Sequence, residues 1–212
     1  MKIAIFGASG QGREIADICS EIGYNKIVFL TKDKTEKSIW DNLVIEDTPE
    51  NVDRLAQNGF KFCIGVGEPK VRSFIAQKYP MLDYPNIIHP SATFGLYQKD
   101  SILLSHGNII TAGVRFTNNI QCGNFCLFNL NATVAHDSII DDFVSIMADV
   151  NISGNVHIKQ NVYLGVNSTI LQGGNDNKLV IGKNSIVGAG AVVTRDVSDD
   201  VTVVGIPAKP LT

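Results

Sequence analysis

The chain has 212 residues, 44% apolar and 18% charged, with 18 Lys and Arg against 21 Asp and Glu for a net charge of −3. That length admits one or two domains, and the lack of a basic cluster argues against a nucleic-acid partner, whose phosphates need a Lys/Arg face. No apolar run approaches the ~18 residues of a membrane span. Met1-Lys2-Ile3 runs into a strand pattern rather than a signal peptide, and four cysteines without a CxxC pair point to the reduced cytoplasm.

Residues 2–6 (KIAIF) read as a short buried strand, followed by the glycine turn Gly7-Ala8-Ser9-Gly10-Gln11-Gly12. From residue 13 to 22 the spacing is helical, with Ile15, Ile18, Cys19 and Ile22 on one face. Residues 26–30 and 60–66 give two further strands, and residues 70–79 a second helix. This alternation predicts a small parallel sheet of about three strands, Rossmann-like, over residues 1–86. The turn reads GxxGxG, which is not the dinucleotide fingerprint GxGxxG, and the sheet is too small for two mononucleotide halves. A strand-to-helix glycine turn still aims backbone N–H groups and the helix dipole at an anion, and one nucleotide diphosphate suits its size. The competing reading is a tight turn with no ligand.

Pro80, Pro85 and Pro90 punctuate a linker, and a six-residue repeat begins near Ile88. Apolar residues recur at every sixth position: Leu104, Ile110, Phe116, Cys122, Phe128, Val134, Ile140, Ile146, Ile152, Ile158, Leu164 and Ile170. Four residues after most of them stands a small or β-branched residue, from Val114 and Ile120 through Cys126, Ala132 and Ser138 to Val162 and Ser168. A hexad with two inward positions makes one short strand and a turn, and stacking such coils gives a parallel β-helix over residues 87–212. Cys122 and Cys126 fill both inward slots of one hexad, which fits small core residues. The run Gly173-Gly174-Asn175-Asp176-Asn177-Lys178 breaks the register and is expected to loop out.

The four histidines are His89, His106, His136 and His157, with no His-x4-His spacing of the kind a zinc anhydrase on this scaffold would show, so no metal is expected. His136 lies two residues after an inward position and can reach a groove. Three hexads make one coil of eighteen residues, so Gly154 stacks one rung, about 4.8 Å, above His136. A base beside a side-chain-free amide suits acyl transfer: the base takes a proton from the acceptor, and the N–H steadies the developing oxyanion. A surface histidine is the alternative that spacing alone leaves open.

The segments IAIFGASGQG, NATVAHDSII, ISGNVHIKQNVYLGVNSTI and VVGIPAK together resemble the bacterial sugar acetyltransferases that fuse a nucleotide-binding domain to a left-handed β-helix. These include N-acetyltransferases of nucleotide-linked 4-amino-4,6-dideoxy sugars, which serve surface polysaccharide and glycan synthesis, and sialic acid O-acetyltransferases. The resemblance implies the left hand, since sterics alone favour right-handed crossovers. It implies acetyl-CoA as co-substrate and a homotrimer with sites between subunits; apolar outward residues Leu127, Leu130 and Ile139 fit such contacts. It puts the catalytic base on His136, its orienting carboxylate on Asp137 and the thioester-facing amide on Gly154. Asn129 would lie near the acceptor sugar. Gly165, Val166, Lys183 and Ala189 would lie along the coenzyme. Gly7, Ser9, Gly10, Gln11 and Gly12 would meet the diphosphate, and Gly67 and Glu68 the nucleoside.

Two departures stand out. Relatives often carry His at the place of Gln11, and paired aspartates where this chain has Thr31, Lys32 and Asp33. Asp33 is the remaining candidate for the base or ribose. The glycine turn favours an amine acceptor on a dTDP- or UDP-linked sugar over a sialic acid, which has no diphosphate to offer it. A structural or ice-binding β-helix would show Thr-x-Thr ladders or lack the glycine-turn domain, and this chain fits neither pattern.

Overall fold

The computed structural model describes residues 1–32, 38–174 and 177–211. Asp33 and two residues of the looped run, Asn175 and Asp176, lie outside them. The N-terminal part runs β1 (Lys2–Phe6), α1 (Gly10–Glu21), β2 (Lys26–Thr31), β3 (Ser38–Ile39), β4 (Asn42–Glu46), α2 (Pro49–Gln57), β5 (Lys61–Ile64) and α3 (Pro69–Lys78). Its sheet has five strands in the order β3-β4-β2-β1-β5, parallel except for the short β3–β4 hairpin. Sequence reasoning expected about three strands and found β1, β2 and β5. It missed β4 because residues 42–46 offer only a short apolar stretch, and α2 because no apolar run announces it. Thr48 caps α2 by accepting from the Asn51 N–H, with Pro49 at its first position, a start signal legible in the sequence.

The second part is a left-handed β-helix of two- and three-residue strands on three faces. The first face holds Ile87–Ile88, Ile109–Ile110, Leu127–Phe128, Ser145–Ile146, Tyr163–Leu164 and Ile186–Val187. The second holds Thr93–Phe94, Arg115–Phe116, Thr133–Val134, Asn151–Ile152, Thr169–Ile170 and Val192–Val193. The third holds Gln121–Cys122, Ile139–Ile140, Val156–Ile158 and Leu179–Ile181. Both inward series are buried, from Ile110, Phe116 and Phe128 to Leu164 and Ile170, and from Val114 to Ser168. Cys122 alone is half-buried, and the four thiols are free. At the turn after most hexads a residue adopts the left-handed conformation, including Asn119, Asn131, Asp137, Asp149, Asn155, Asn161 and Asn167, all at φ between 53° and 60°. Asn and Asp tolerate that conformation better than other side chains.

Leu104 corrects the repeat. It is 90% exposed, and the inward place in its coil belongs to Ile102, fully buried on the short helix α4 (Gln98–Ile102). The first coil is longer than eighteen residues, pairing Ile88 with Ile110 and Phe94 with Phe116, so Leu104 matched the phase by coincidence. Gln98 closes this end: its buried amide donates to the Ile120 carbonyl and accepts from the Ile120 N–H, both at 2.8 Å, replacing a missing strand.

The N-terminal domain packs on the outside of the first face. Ile87, Ile109 and Leu127 point away from the helix core, yet are at most 1% exposed because Ile15, Ile18 and Cys19 of α1 lie against them. Leu127 therefore belongs to the contact between domains of one chain, not to a subunit contact. Leu130 remains 42% exposed and Ile139 half-buried.

Candidate active site

His136 sits at the corner between the second and third faces, just past the strand Thr133–Val134. Its Nδ1 lies 2.7 Å from Asp137 Oδ2. That carboxylate assigns the ring proton to Nδ1 and leaves the Nε2 lone pair free as a base. Asn119, one rung below, donates to Asp137 Oδ1 at 2.5 Å. This bond, and then the imidazole, hold the Asp137 carboxyl below the usual carboxylate range. Lys178 Nζ donates to the Asp137 carbonyl, and to Asn155 Oδ1 at 3.0 Å, tying the end of the looped run to the same corner.

Gly154 lies over the imidazole. A Cβ at that position would stand 2.5 Å from His136 Cε1 and 2.6 Å from Nε2. The Gly154 carbonyl accepts from the Gly173 N–H at 3.1 Å, while its own N–H meets no acceptor among the described residues. An imidazole, a carboxylate bonded to it and an open backbone amide thus share one corner of the β-helix. The remaining histidines are engaged otherwise: His89 with Glu21 at 3.1 Å, His157 with Asp141 at 2.9 Å, and His106 against the Phe125 ring. Among the described residues no group of three or more His, Cys, Asp or Glu could hold a metal ion.

The glycine turn follows β1. Gly7 has φ +106°, and a Cβ on Gly12 would stand 2.2 Å from the Gly7 carbonyl oxygen, so both glycines are demanded by backbone crossing backbone. A Cβ on Gly10 would meet nothing within 4 Å, so that stretch faces open space. Ser9 precedes α1 in extended conformation without a side-chain cap, leaving the first amides of the helix available to an anion. Gln11 Oε1 accepts from Asn129 Nδ2 at 3.2 Å, which brings the turn to the corner between the first and second faces. Glu68 caps α3 by accepting from the Lys70 N–H, and the Gly67 carbonyl is held by Arg72 and Ser145.

Gly165, Val166 and Ala189 meet at that same corner, two rungs further along: the Gly165 N–H donates to Val187 at 2.7 Å, and a Gly165 Cβ would stand 2.6 Å from the Ala189 nitrogen. Lys183 does not join them. It stands at the corner between the third and first faces, where its N–H donates to Asp199 at 2.8 Å. His136 occupies one edge of the second face, and Asn129, Gly165 and the glycine turn lie toward the other. Among the described residues no hydrogen bond or ion pair joins the two groups.

Sequence reasoning missed Asn119, Lys178, Arg72 and Ser145. Asn119 was within reach, since the eighteen-residue step that links His136 to Gly154 also links Asp137 to Asn119. Ser145 carries a weaker signal, a hydroxyl in the outward series that reads Ile87, Ile109 and Leu127 below it. Arg72 offered none, since Lys70-Val71-Arg72 looks like a solvated helix start.

Residues 2–79 match the PglD N-terminal domain family. The GDP-perosamine N-acetyltransferase of Escherichia coli O157:H7 is 32% identical over 152 residues, covering 71% of this chain and 67% of that protein. The acetyltransferase domain of PglB from Neisseria gonorrhoeae FA1090 superposes with a TM-score of 0.89 at 30% identity over 99% of both chains. A second structure of that domain, in complex with acetyl coenzyme A, matches with a TM-score of 0.87. Among the described residues no helix is long and apolar enough to cross a membrane. With a PglD-type domain, a left-handed β-helix and a His-Asp corner in one chain, this protein is a member of the nucleotide-sugar N-acetyltransferase family.

Proposed function

We propose that the protein transfers the acetyl group of acetyl-CoA to the 4-amino group of a nucleotide-linked 4-amino-4,6-dideoxy sugar. The observation that carries this reading is the His136–Asp137 pair at 2.7 Å with the Gly154 backbone directly over the ring. The amine nitrogen attacks the thioester carbonyl carbon, and a C–N bond forms. His136 Nε2 takes the proton that the nitrogen loses, and Asp137 steadies the resulting imidazolium. The Gly154 N–H faces the oxygen as negative charge gathers on it. When the intermediate collapses the C–S bond breaks, and the proton on His136 goes to the departing thiolate. Cys126 is buried within the β-helix and Cys122 lies on its third face, so neither supports an acyl-enzyme route.

The diphosphate is assigned to the amides around Gly7, Ser9, Gly10, Gln11 and Gly12, the nucleoside to Gly67 and Glu68, the acceptor sugar to Asn129 and Gln11, and the coenzyme to Gly165, Val166 and Ala189. Because His136 and these residues lie toward opposite edges of one face, the reading requires a second copy to complete each site. A cyclic trimer sets His136 of the partner subunit against the glycine turn. The nucleotide is the open term: one relative is named for GDP-perosamine, while the sequence reading favours dTDP or UDP. Thiol release from acetyl-CoA with GDP-, UDP- and dTDP-linked 4-amino-4,6-dideoxy sugars, beside free and CMP-linked sialic acid, tests the assignment. Release with one nucleotide-linked amine supports it; release with sialic acid alone overturns it in favour of O-acetylation.

A further inference from the structure

Arg72, on α3, is 1% exposed and has no carboxylate partner among the described residues. Burial lowers its pKa to about 10, so it remains a cation at neutral pH. Carbonyls and one hydroxyl surround it instead. Nε donates to Phe125 O at 2.9 Å, and Nη2 to Phe143 O at 2.9 Å and Val144 O at 3.0 Å, all on the β-helix. Nη1 donates to Val66 O and Gly67 O at 3.0 Å each and to Ser145 Oγ at 2.9 Å. Ser145 Oγ in turn donates to Gly67 O at 2.6 Å. One planar fork thus binds two successive coils, at one corner of the β-helix, to the turn that follows β5.

That turn is not remote from the glycine loop. A Cβ on Gly7 would stand 2.9 Å from Gly65 O and 3.3 Å from Val66 Cγ2, and a Cβ on Gly65 would stand 2.7 Å from Gly12 Cα. A shift of residues 65–67 therefore moves residues 7–12. The β-helix itself is shaped to receive the fork. Phe125 and Phe143 hold φ of 55° and 61°, where the coils on either side use Gly107 and Asn161, and their rings stack at 5.3 Å. Bulky side chains in that conformation are costly; here their carbonyls are the ones Arg72 binds.

We propose that Arg72, with Ser145, is a positioning residue for the nucleotide-linked substrate: the pair sets residues 65–67, and through them the glycine turn, relative to the β-helix. This rests on the reading of that turn as the diphosphate site. The opposite edge of the domain is held by the Gln11 to Asn129 bond, so the domain is registered at both sides of the covered face.

The test uses the full-length protein and isothermal titration with GDP, UDP and dTDP, alongside KM for acetyl-CoA. Arg72→Ala leaves several buried carbonyls without a donor and is unsuitable alone, so Ser145→Ala, Ser145→Thr and Arg72→Lys are compared. Ser145→Ala is expected to weaken binding of whichever nucleotide the wild type takes by roughly three- to tenfold. Arg72→Lys, which lacks the fork, is expected to weaken it further, Ser145→Thr is expected to restore it, and KM for acetyl-CoA stays within twofold throughout. Variants that melt earlier yet bind nucleotide as the wild type does would overturn the positioning role and leave Arg72 as a brace. A wild type that binds none of the three nucleotides would bring down the diphosphate reading itself, and this proposal with it.

Discussion

Gly154→Ala separates catalysis from folding at this corner. The new methyl carbon would stand 2.6 Å from His136 Nε2, where ordinary contacts begin at 3.4 Å, so one partner must retreat by about 0.8 Å. Gly154 is not in the left-handed region, so alanine costs its backbone little. The imidazole is half-exposed, at 48% of its side chain, and is free to swing outward. Such a swing takes Nδ1 off the Asp137 carboxylate and Nε2 off its line to the amine. Misplacement of a reacting group by about 1 Å can cost on the order of 10²-fold in rate. The expected result is a fall in kcat/KM of about 10², with a melting temperature within a few degrees of the wild type. His136→Ala alone should cost roughly 10² to 10⁴. Since the amide survives in Gly154→Ala, the double variant should be no slower than His136→Ala, a strongly non-additive cycle. Steady-state kinetics on the four proteins decides it. A Gly154→Ala enzyme within threefold of wild type, or additive losses in the double variant, would refute the contact between Gly154 and the ring as the cause.

Asn119→Ala removes the foremost influence holding the Asp137 carboxyl low, so its titration, followed by carbon NMR, should move up toward the ordinary value near ~3.9. The sign follows from the depressed folded-state value: the carboxylate's contribution is complete above the unfolded pKa and is lost as pH falls through the folded one. Stability at pH 7 should therefore fall in the variant by the share that Asn119 supplied through this carboxylate, and the difference from the wild type should close as pH falls from the unfolded value through the folded one; an unmoved titration would place the cause elsewhere. For assembly, sedimentation of the wild type is expected to give a trimer, and a monomer that is fully active would overturn the shared site.

How much was legible follows from how the two halves encode themselves. Inward positions of a β-helix have no choice but to be apolar or small, so Ile110 to Ile170 announced both the fold and the step that stacks Gly154 on His136. That signal fails wherever a coil changes length. Leu104 kept the phase only in sequence, because extra residues around α4 moved the true inward position to Ile102. The looped run after Gly173 was visible for the same reason in reverse: it lengthens the step from Val156 to its partner Leu179. Contacts between the domains were illegible. Arg72 is ringed by main-chain carbonyls, which every residue has, so nothing in the chain marks its partners. Leu127 was read as an outward apolar residue, correctly, but only the packed α1 shows that it is covered from within the same chain.

The N-terminal domain covers only part of the first face, and this grades the solenoid along its axis. Outward residues Ile87, Ile109, Leu127 and Ser145 are sealed, whereas Tyr163 is half-buried and Ile186 is 43% exposed. In a stack where each coil leans only on its neighbours, local opening is easiest where lateral support is missing. The His136 coil lies in the supported half, between Leu127 and Ser145 in sequence. Gly165 and Ala189 lie in the unsupported half. Under the proposed function, the acceptor side of the reaction would be built on the laterally supported half of the solenoid and the donor side on the half without that support, where a long coenzyme would have to be admitted and its thiol product released at every turnover.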